Sequence, residues 1–312
     1  MSAEVDKLYM EETDKQFPPY VLYVVTNVCN AKCTFCPQSE IADDPNFSKQ
    51  HLSWEHFTRS VEEIAKHPIK LLRFTSEGEP MMHPKMPEMI AYAKKVGIQK
   101  VDLTSNGSLL KGKRLKQLME CPPDIMDVSL DAFHQETFEK YRVGLDFDEV
   151  KKNVMHLLEI RDPAKTKVMV SMIHHEGLDE EVELFRNYWE GRVDNVAIRR
   201  PHTNLGTVDV GDKLEKPDDR WPCPHIWQRL LINHAGNIRF CPVDWHEGSN
   251  IGSLDEMTVA EAWQGPLMTD LRQRHVEGNF CGSGVCENCP DWPAIVWGHG
   301  WLNLVDKNSK AS

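Results

Sequence analysis

The sequence predicts an α/β fold built of parallel strand–helix units. Short apolar runs alternate six times with stretches that carry apolar residues at helical spacing, one unit every roughly 25 to 35 residues. Each apolar run ends in glycine or polar residues, as strand ends do where they face a ligand. The 312 residues, 40% hydrophobic and 27% charged, make an ordinary globular balance, with length for one large domain and an appendage or for two domains. A doubly wound sheet and a barrel both satisfy this pattern.

The first strand is the apolar run Val21 to Val25. It leads into Cys29, Cys33 and Cys36, a C-x3-C-x2-C that sets three thiols at the mouth of a parallel sheet. Asp43 to Ser53 is a polar connection. Ser53 suits the cap of a helix whose stripe is Trp54, Phe57, Val61, Ile64 and Ala65. Ile69–Phe74 reads as the second strand and Met86–Val96 as a helix ending near Gly97. Val101–Thr104 is the third strand and Leu109–Met119 a helix. Ile125–Leu130 is the fourth strand, with the helix Phe147–Ile160 behind it. Val168–Ile173 is the fifth, followed by the helix Leu178–Trp189, and Val193–Ile198 is the sixth. Thr203 to Asp219, rich in Gly, Asp and Lys with Pro217, reads as a linker. No internal repeat beyond the strand–helix unit is visible.

The formal net charge of -12 argues against nucleic acid as the main partner, since phosphate binding needs a basic surface. No apolar run approaches the ~20 residues of a membrane span. The opening MSAEVDKLYMEETDKQ is acidic and polar, unlike a secretory signal, so a cytoplasmic location with no membrane partner is expected. In that compartment nine cysteines read as metal ligands or catalytic thiols rather than disulfides. Three lie within 29–36, five follow residue 220, and Cys121, beside two prolines, reads as a small core residue. Three thiolates are what a four-iron cluster needs if one iron is to stay open. A structural zinc wants four closed ligands, and a zinc loop or an inert cysteine cluster is the alternative.

The cysteine spacing, with Phe35 just before Cys36, resembles the signature of the radical S-adenosylmethionine (SAM) superfamily. That resemblance implies a partial (β/α)6 TIM-like barrel over residues 17–205, preceded by an N-terminal extension, 1–16. A linker, 206–220, and a small C-terminal domain, 221–312, complete the chain. It also implies SAM and a SAM-binding [4Fe-4S] cluster on Cys29, Cys33 and Cys36, and one-electron chemistry in which SAM is cleaved to methionine and a 5'-deoxyadenosyl radical. Thr75-Ser76-Glu77-Gly78-Glu79-Pro80 resembles the family's GGEP motif, with Glu77 in place of the first glycine. On that likeness Glu77, Gly78, Glu79 and Pro80 hold the amino group of SAM. Thr104-Ser105-Asn106-Gly107 resembles a turn common in the family, where Asn and Gly also serve the backbone alone. Ser129-Leu130-Asp131 resembles its SLD, which assigns Ser129 and Asp131 to the ribose or the methionine carboxylate. Arg142 suits a bidentate carboxylate clamp. Capping and surface pairing are the alternatives for these three.

The segment C-x12-G-x4-C from Cys223 through Gly236 to Cys241 resembles the opening of SPASM and twitch domains. A full SPASM domain has seven cysteines, and the five here fit the twitch form with one auxiliary [4Fe-4S] cluster. Its ligands would be Cys223, Cys241, Cys286 and Cys289, a layout similar to the twitch-bearing 2-deoxy-scyllo-inosamine dehydrogenase; zinc on the same thiols is the alternative. Cys281 is left over, as a spare ligand, an inert thiol or a hydrogen-atom donor. Donation would make the reaction an epimerisation, as in enzymes resembling neomycin C epimerase. If the substrate radical is instead oxidised, Asp244 is a candidate base, with a loop cap as its bland role. His174 and His175 after the fifth strand, and Arg199, Arg200 and His202 after the sixth, are candidates to face a polyhydroxylated, phosphorylated or carboxylated ligand. Trp292, Trp297 and Trp301 pack the small domain or stack on a sugar.

The function expected is hydrogen abstraction from a small polar substrate (a sugar, aminocyclitol or nucleotide sugar), giving an epimer or a dehydrogenated carbinol. Reduced flavodoxin or a ferredoxin-type protein would donate the electron. A maturase acting on a ribosomal peptide or protein side chain is the alternative. A barrel that begins by residue 20, with no peptide-recognition domain before it, tilts the expectation towards a small molecule. An iron–sulfur electron carrier is a third reading, against which the SAM-site motifs count.

Overall fold

The computed structural model describes residues 16–75, 77–209, 217 and 219–295. Ser76, nearly all of the N-terminal extension, part of the linker, Trp297 and Trp301 lie outside the described residues. Six parallel strands appear where the apolar runs put them: β1 (Tyr20–Tyr23), β2 (Leu71–Phe74), β3 (Val101–Ser105), β4 (Ile125–Ser129), β5 (Lys167–Ile173) and β6 (Asn195–Arg199). They neighbour one another in chain order, each crossover being a helix or helices packed on the outer face. The crossover helices are α1 (Trp54–Ile64), α2 (Met86–Lys95), α3 (Gly112–Glu120), α4 (Gln135–Tyr141), α5 (Phe147–Ile160) and α6 (Asp179–Trp189). Ser53 caps α1 as its sequence implies, its hydroxyl accepting the His56 N–H at 3.0 Å. The short helix α4 went unread because seven residues with one buried apolar side chain, Phe138, carry almost no periodic signal.

The barrel stays open. Among the described residues β6 is an edge strand, and the far side of β1 pairs with β7 (Arg229–Ile232), in parallel, Tyr20 opposite Arg229 and Tyr23 opposite Ile232. β8 (Asn237–Arg239) and β9 (Asn250–Ser253) continue antiparallel, making one nine-stranded sheet that runs on past the linker. Helices α7 (Val259–Gln264) and α8 (Pro266–Glu277) follow, and Gly278, at φ +67°, ends α8. Strands of three or four residues are too short for alternation to reveal, which is why sequence periodicity outlines nothing here. No described helix is long and apolar enough to cross a membrane.

The strands at the centre of the sheet are buried on both faces, so β1 reads as a continuous apolar run, whereas β6 is part-buried throughout. The outer face packs into the main core under the helices. The inner face is layered. Tyr20, Leu22, Leu71, Ile125, Met169 and Leu231 form an apolar floor. Two residues on along β2, β4 and β6 stand Arg73, Asp127 and Arg199, which by strand alternation share that face, with Asp102 opposite Arg73. Arg73 pairs with Asp102 at 3.2 Å and with Asp127 at 2.5 Å, and Arg199 also pairs with Asp127. Burial raises the Asp102 carboxyl. Burial works the same way on Asp127, but the Arg199 and Arg73 guanidiniums outweigh it and hold that carboxyl below the usual range.

Candidate active site

The C-terminal ends of β1 to β4 open into one cavity. Cys29, Cys33 and Cys36 line it, with Gly78, Glu79 and Ser129 across from them. The loop after β2 is pressed against the backbone that leads into the cysteines. The Glu79 N–H donates to the Val28 carbonyl at 2.9 Å, and a Cβ on Gly78 would lie 2.5 Å from the Thr26 carbonyl oxygen. Only glycine fits there. Glu79 is buried and fully engaged: it accepts from the Ser105 hydroxyl at 2.8 Å, the Asn106 N–H at 2.7 Å and the Met81 N–H at 3.1 Å. Burial raises its carboxyl despite those donors. Asn106 reaches back to Asn30 in the cysteine loop at 2.9 Å. The turn after β3 thereby ties the two loops together, a role beyond the turn-making read from its sequence.

Burial pushes the Cys29 thiol up to about 11 and Cys36 up to about 12. Thiols so placed are neutral at pH 7 until a metal supplies the countercharge. Arg142 stands ready beside them, its Nη1 3.7 Å from the Cys33 Sγ and its guanidinium 5.3 Å from the centre of the Phe35 ring. The rest of that guanidinium grips Asp131, Nε donating to Oδ2 at 2.7 Å. Asp131, at φ +57°, also accepts the Ile173 N–H at 2.7 Å. The pair that sequence assigned to the cofactor's carboxylate and ribose is therefore joined to itself; of the two, Arg142 lines the cavity.

Glu77 also lines the cavity, and its carboxylate forms a buried ion pair with Arg239 of β8, with the His234 Nδ1 3.8 Å away. Arg239 in turn donates to the Asp244 carbonyl. Asp244, 1% exposed, accepts from the Ser249 N–H at 2.6 Å and the His246 N–H at 3.1 Å, so its carboxylate clamps its own loop. Sequence reasoning passed over Trp245 and Arg239. Trp245 lines the same cavity as the three cysteines, and the only signal for it was its place beside Asp244.

The second cysteine group gathers where β8 ends and the last loop returns. Cys241 and Cys286 are buried, and Cys223 and Cys289 half-buried. Burial pushes Cys223 up to about 12, and a charge on Cys289 would push it further. Cys241 is raised by burial and by Cys223, Cys286 and Cys289 in turn, so the four thiols feel one another. Cys281 is exposed. Among the described residues no three His, Cys, Asp or Glu side chains converge on a single-ion site. A four-iron cluster sets its thiolates wider than one ion does. Both donor sets, soft thiols in buried surroundings, suit iron–sulfur ligation.

Of the remaining candidates, Arg199 belongs to the inner-face network, and His174 pairs with the exposed Asp179 at 3.1 Å. Arg200 is exposed and His202 half-buried, its pKa lowered by burial. His175 is buried and stacks on Tyr141 at 4.3 Å. Trp292 is buried against Trp221, edge to face at 4.7 Å, a packing role. Cys121 is half-buried at the end of α3.

An open parallel barrel with a cysteine loop after its first strand defines a class, and comparison with known proteins agrees. The family model of the radical SAM superfamily matches residues 23–187, and that of the SPASM iron–sulfur cluster-binding domain matches residues 223–290. The chain belongs to the radical SAM superfamily. It is an enzyme, with SAM and a 4Fe-4S cluster as cofactors of its first domain and auxiliary iron–sulfur in its SPASM domain. The GTP 3',8-cyclase of Chlorobaculum tepidum is 32% identical over 174 residues, 54% of this chain and 50% of that one. The tungsten-containing aldehyde ferredoxin oxidoreductase cofactor-modifying protein of Pyrococcus furiosus is 27% identical over 146 residues, 45% of this chain and 40% of that one. The chain thus spans about half the length of the curated relatives it matches. Among solved structures, BtrN in complex with AdoMet and 2-DOIA superposes with a TM-score of 0.60 at 16% identity, covering 88% of this chain and 94% of that one. Streptococcus suis SuiB bound to its precursor peptide SuiA gives 0.70 at 14% identity, covering 97% and 76%. At such identities the likeness is one of fold.

Proposed function

We propose that Cys29, Cys33 and Cys36 hold the SAM-binding cluster, that Cys223, Cys241, Cys286 and Cys289 hold one auxiliary cluster, and that the enzyme dehydrogenates a small polar molecule. When bound, the cofactors supply reductive cleavage of SAM, abstraction of a hydrogen atom from the substrate and an acceptor for the second electron of an oxidation. One observation carries the substrate class. Between the cysteine cavity and the apolar floor, the inner face is built of charged and hydroxyl groups, Arg73, Asp102, Thr104, Asp127, Ser171 and Arg199. Arg73, Asp102, Asp127 and Ser171 are buried and engage one another, while Thr104 lines the cysteine cavity and the Arg199 side chain is part-exposed, so a hydroxyl and a guanidinium are on hand to exchange hydrogen bonds with a polyhydroxylated ligand.

Within this reading, Gly78 brings the loop after β2 close to the cysteine loop, and Glu79 holds the turn after β3 in register with it. Glu77 and Ser129 face the cavity, and Arg142 steadies Cys33 while Asp131 fixes the guanidinium. Asp244 acts as a loop clamp rather than a base. Dehydrogenation is favoured over epimerisation because Cys281 is exposed and does not line the cavity, so its thiol is poorly placed to return a hydrogen atom.

Anaerobically reconstituted protein should carry about eight irons per chain, and a Cys29→Ala, Cys33→Ala, Cys36→Ala variant about four. Under strong reductant the wild type should split SAM into 5'-deoxyadenosine and methionine. Incubation with carbon-deuterated aminocyclitols and sugars should place deuterium in the 5'-deoxyadenosine, and Cys281→Ala should leave the oxidised product unchanged. Deuterium arriving only from a labelled peptide would overturn the substrate class, and an epimer lost in Cys281→Ala would overturn the reaction type.

A further inference from the structure

We propose that Trp245 is a SAM-facing residue, contributed by the C-terminal region to the cofactor chamber of the barrel. The inference rests on the reading of the cysteine cavity as the SAM site, and it adds a wall that the barrel itself does not supply. Trp245 lies in the loop after β8, yet it lines the cavity together with Cys29, Cys36, Gly78 and Ser129.

Its placement is built rather than incidental. The indole Nε1–H donates to the Asn204 Oδ1 at 3.2 Å. Asn204 sits at φ +50° and Leu205 at φ +59°, two consecutive left-handed residues that only a firm anchor can hold. That anchor is Asp291, fully buried. It accepts from the Thr203 N–H at 2.6 Å and the Thr203 hydroxyl at 2.9 Å through one oxygen, and from the Leu205 N–H at 2.7 Å through the other. On the other side of Trp245, the Asp244 clamp and the Arg239 contact to its carbonyl fix the backbone.

The one hydrogen-bonding atom of the indole is thus spent outside the cavity, and what Trp245 offers the ligand is its ring. SAM carries two groups that an aromatic face takes up, a flat adenine and a sulfonium cation. A ring held by preset hydrogen bonds loses little freedom on binding either.

The test uses the reconstituted, cluster-bearing protein and SAM without reductant, so that binding is read apart from turnover. Dissociation constants from equilibrium dialysis are compared for wild type, Trp245→Phe and Trp245→Ala, with iron content measured for each. Trp245→Ala should bind SAM about tenfold more weakly with its iron retained, whereas Trp245→Phe, which keeps a ring, should stay within about threefold. The fluorescence change on SAM addition should be present in the wild type and largely gone in Trp245→Phe, although eight of the nine tryptophans remain. A tryptophan that merely packs its loop would leave both readouts unmoved. Unaltered affinity in Trp245→Ala, or an unaltered fluorescence response in Trp245→Phe, overturns the assignment. A wild type that binds no SAM overturns instead the reading of the cavity on which it stands.

Discussion

At the scale of single residues, the buried pair of Glu77 and Arg239 shows what one substitution in a familiar motif entails. Glu77 stands where the family's motif has glycine, and its partner is 162 residues away on β8. Burial lowers the Arg239 pKa against the opposing pull of Asp244 and Glu247, and Glu77 is the carboxylate its guanidinium directly pairs with. Glu77→Gly, which restores the family's residue, should therefore destabilise the protein by about 3–5 kcal/mol, because it strands a buried guanidinium. The double variant Glu77→Gln, Arg239→Met should recover most of that loss in denaturant melts, and a Glu77→Gly protein as stable as wild type would show the pair to be idle. The departure from the motif was legible in the sequence; its compensation was not, since nothing in one chain's letters links positions so far apart. A second residue gives a pH dependence. His83 is buried, and burial lowers its pKa from 6.5 to about 4. Its Nδ1 accepts the Lys85 N–H at 3.1 Å, which requires the unprotonated nitrogen. The unfolded chain takes up the proton first, so this contribution is complete above pH 6.5 and is lost as pH falls towards 4. Discounted for partial solvent access, it amounts to about 2 kcal/mol. In His83→Asn, stability should fall less steeply between those pH values, and an identical slope would remove His83 from the account.

At the scale of elements, the barrel helices and strands were legible because each carries a long enough pattern. The stripe on α1 and the apolar run of β5 are examples, found within a residue or two of where the letters set them. The C-terminal elements were not, and α7 explains why. Its six residues hold together through their first turn more than through any stripe. Thr258 and Glu261 form a capping box, the Thr258 hydroxyl accepting the Glu261 N–H while the Glu261 carboxylate accepts the Thr258 N–H. Glu63, from α1 in the barrel, then accepts the Val259 and Ala260 N–H groups at 3.0 and 2.9 Å. A carboxylate at a helix N-terminus also meets the positive end of the helix dipole. The start of α7 is thus partly specified by a residue some two hundred positions earlier. Glu63→Ala should cost about 1–2 kcal/mol and Thr258→Ala about 1 kcal/mol. Hydrogen exchange should quicken at Val259 and Ala260 in the first variant while α2 keeps its protection; unchanged exchange there would mean the contact carries no weight.

At the scale of the molecule, the sheet decides how the two cofactor regions depend on each other. A C-terminal iron–sulfur domain suggests a separable unit, but β7 pairs along the whole of β1, and Leu231 of β7 completes the apolar floor beneath the inner-face charges. β1 is also the strand that delivers the cysteine loop, and the Glu77–Arg239 pair crosses the same seam higher up. Cutting the chain after residue 205 would leave the buried β1 with a bare edge, open to pairing with another copy, and would strand Glu77 without its arginine. The geometry at the cysteine loop would loosen with it. Residues 1–205 expressed alone should therefore aggregate or bind little iron. The full chain should melt in one cooperative transition, seen together by far-UV circular dichroism and by cluster absorbance. A soluble 1–205 fragment that takes up about four irons and binds SAM like the whole protein would mean that β7 merely leans on the barrel. The packing argues otherwise: the strand that leads into the first cysteine loop has one neighbour from the barrel and one from the C-terminal region, so each region is supported by a sheet that the other helps to complete.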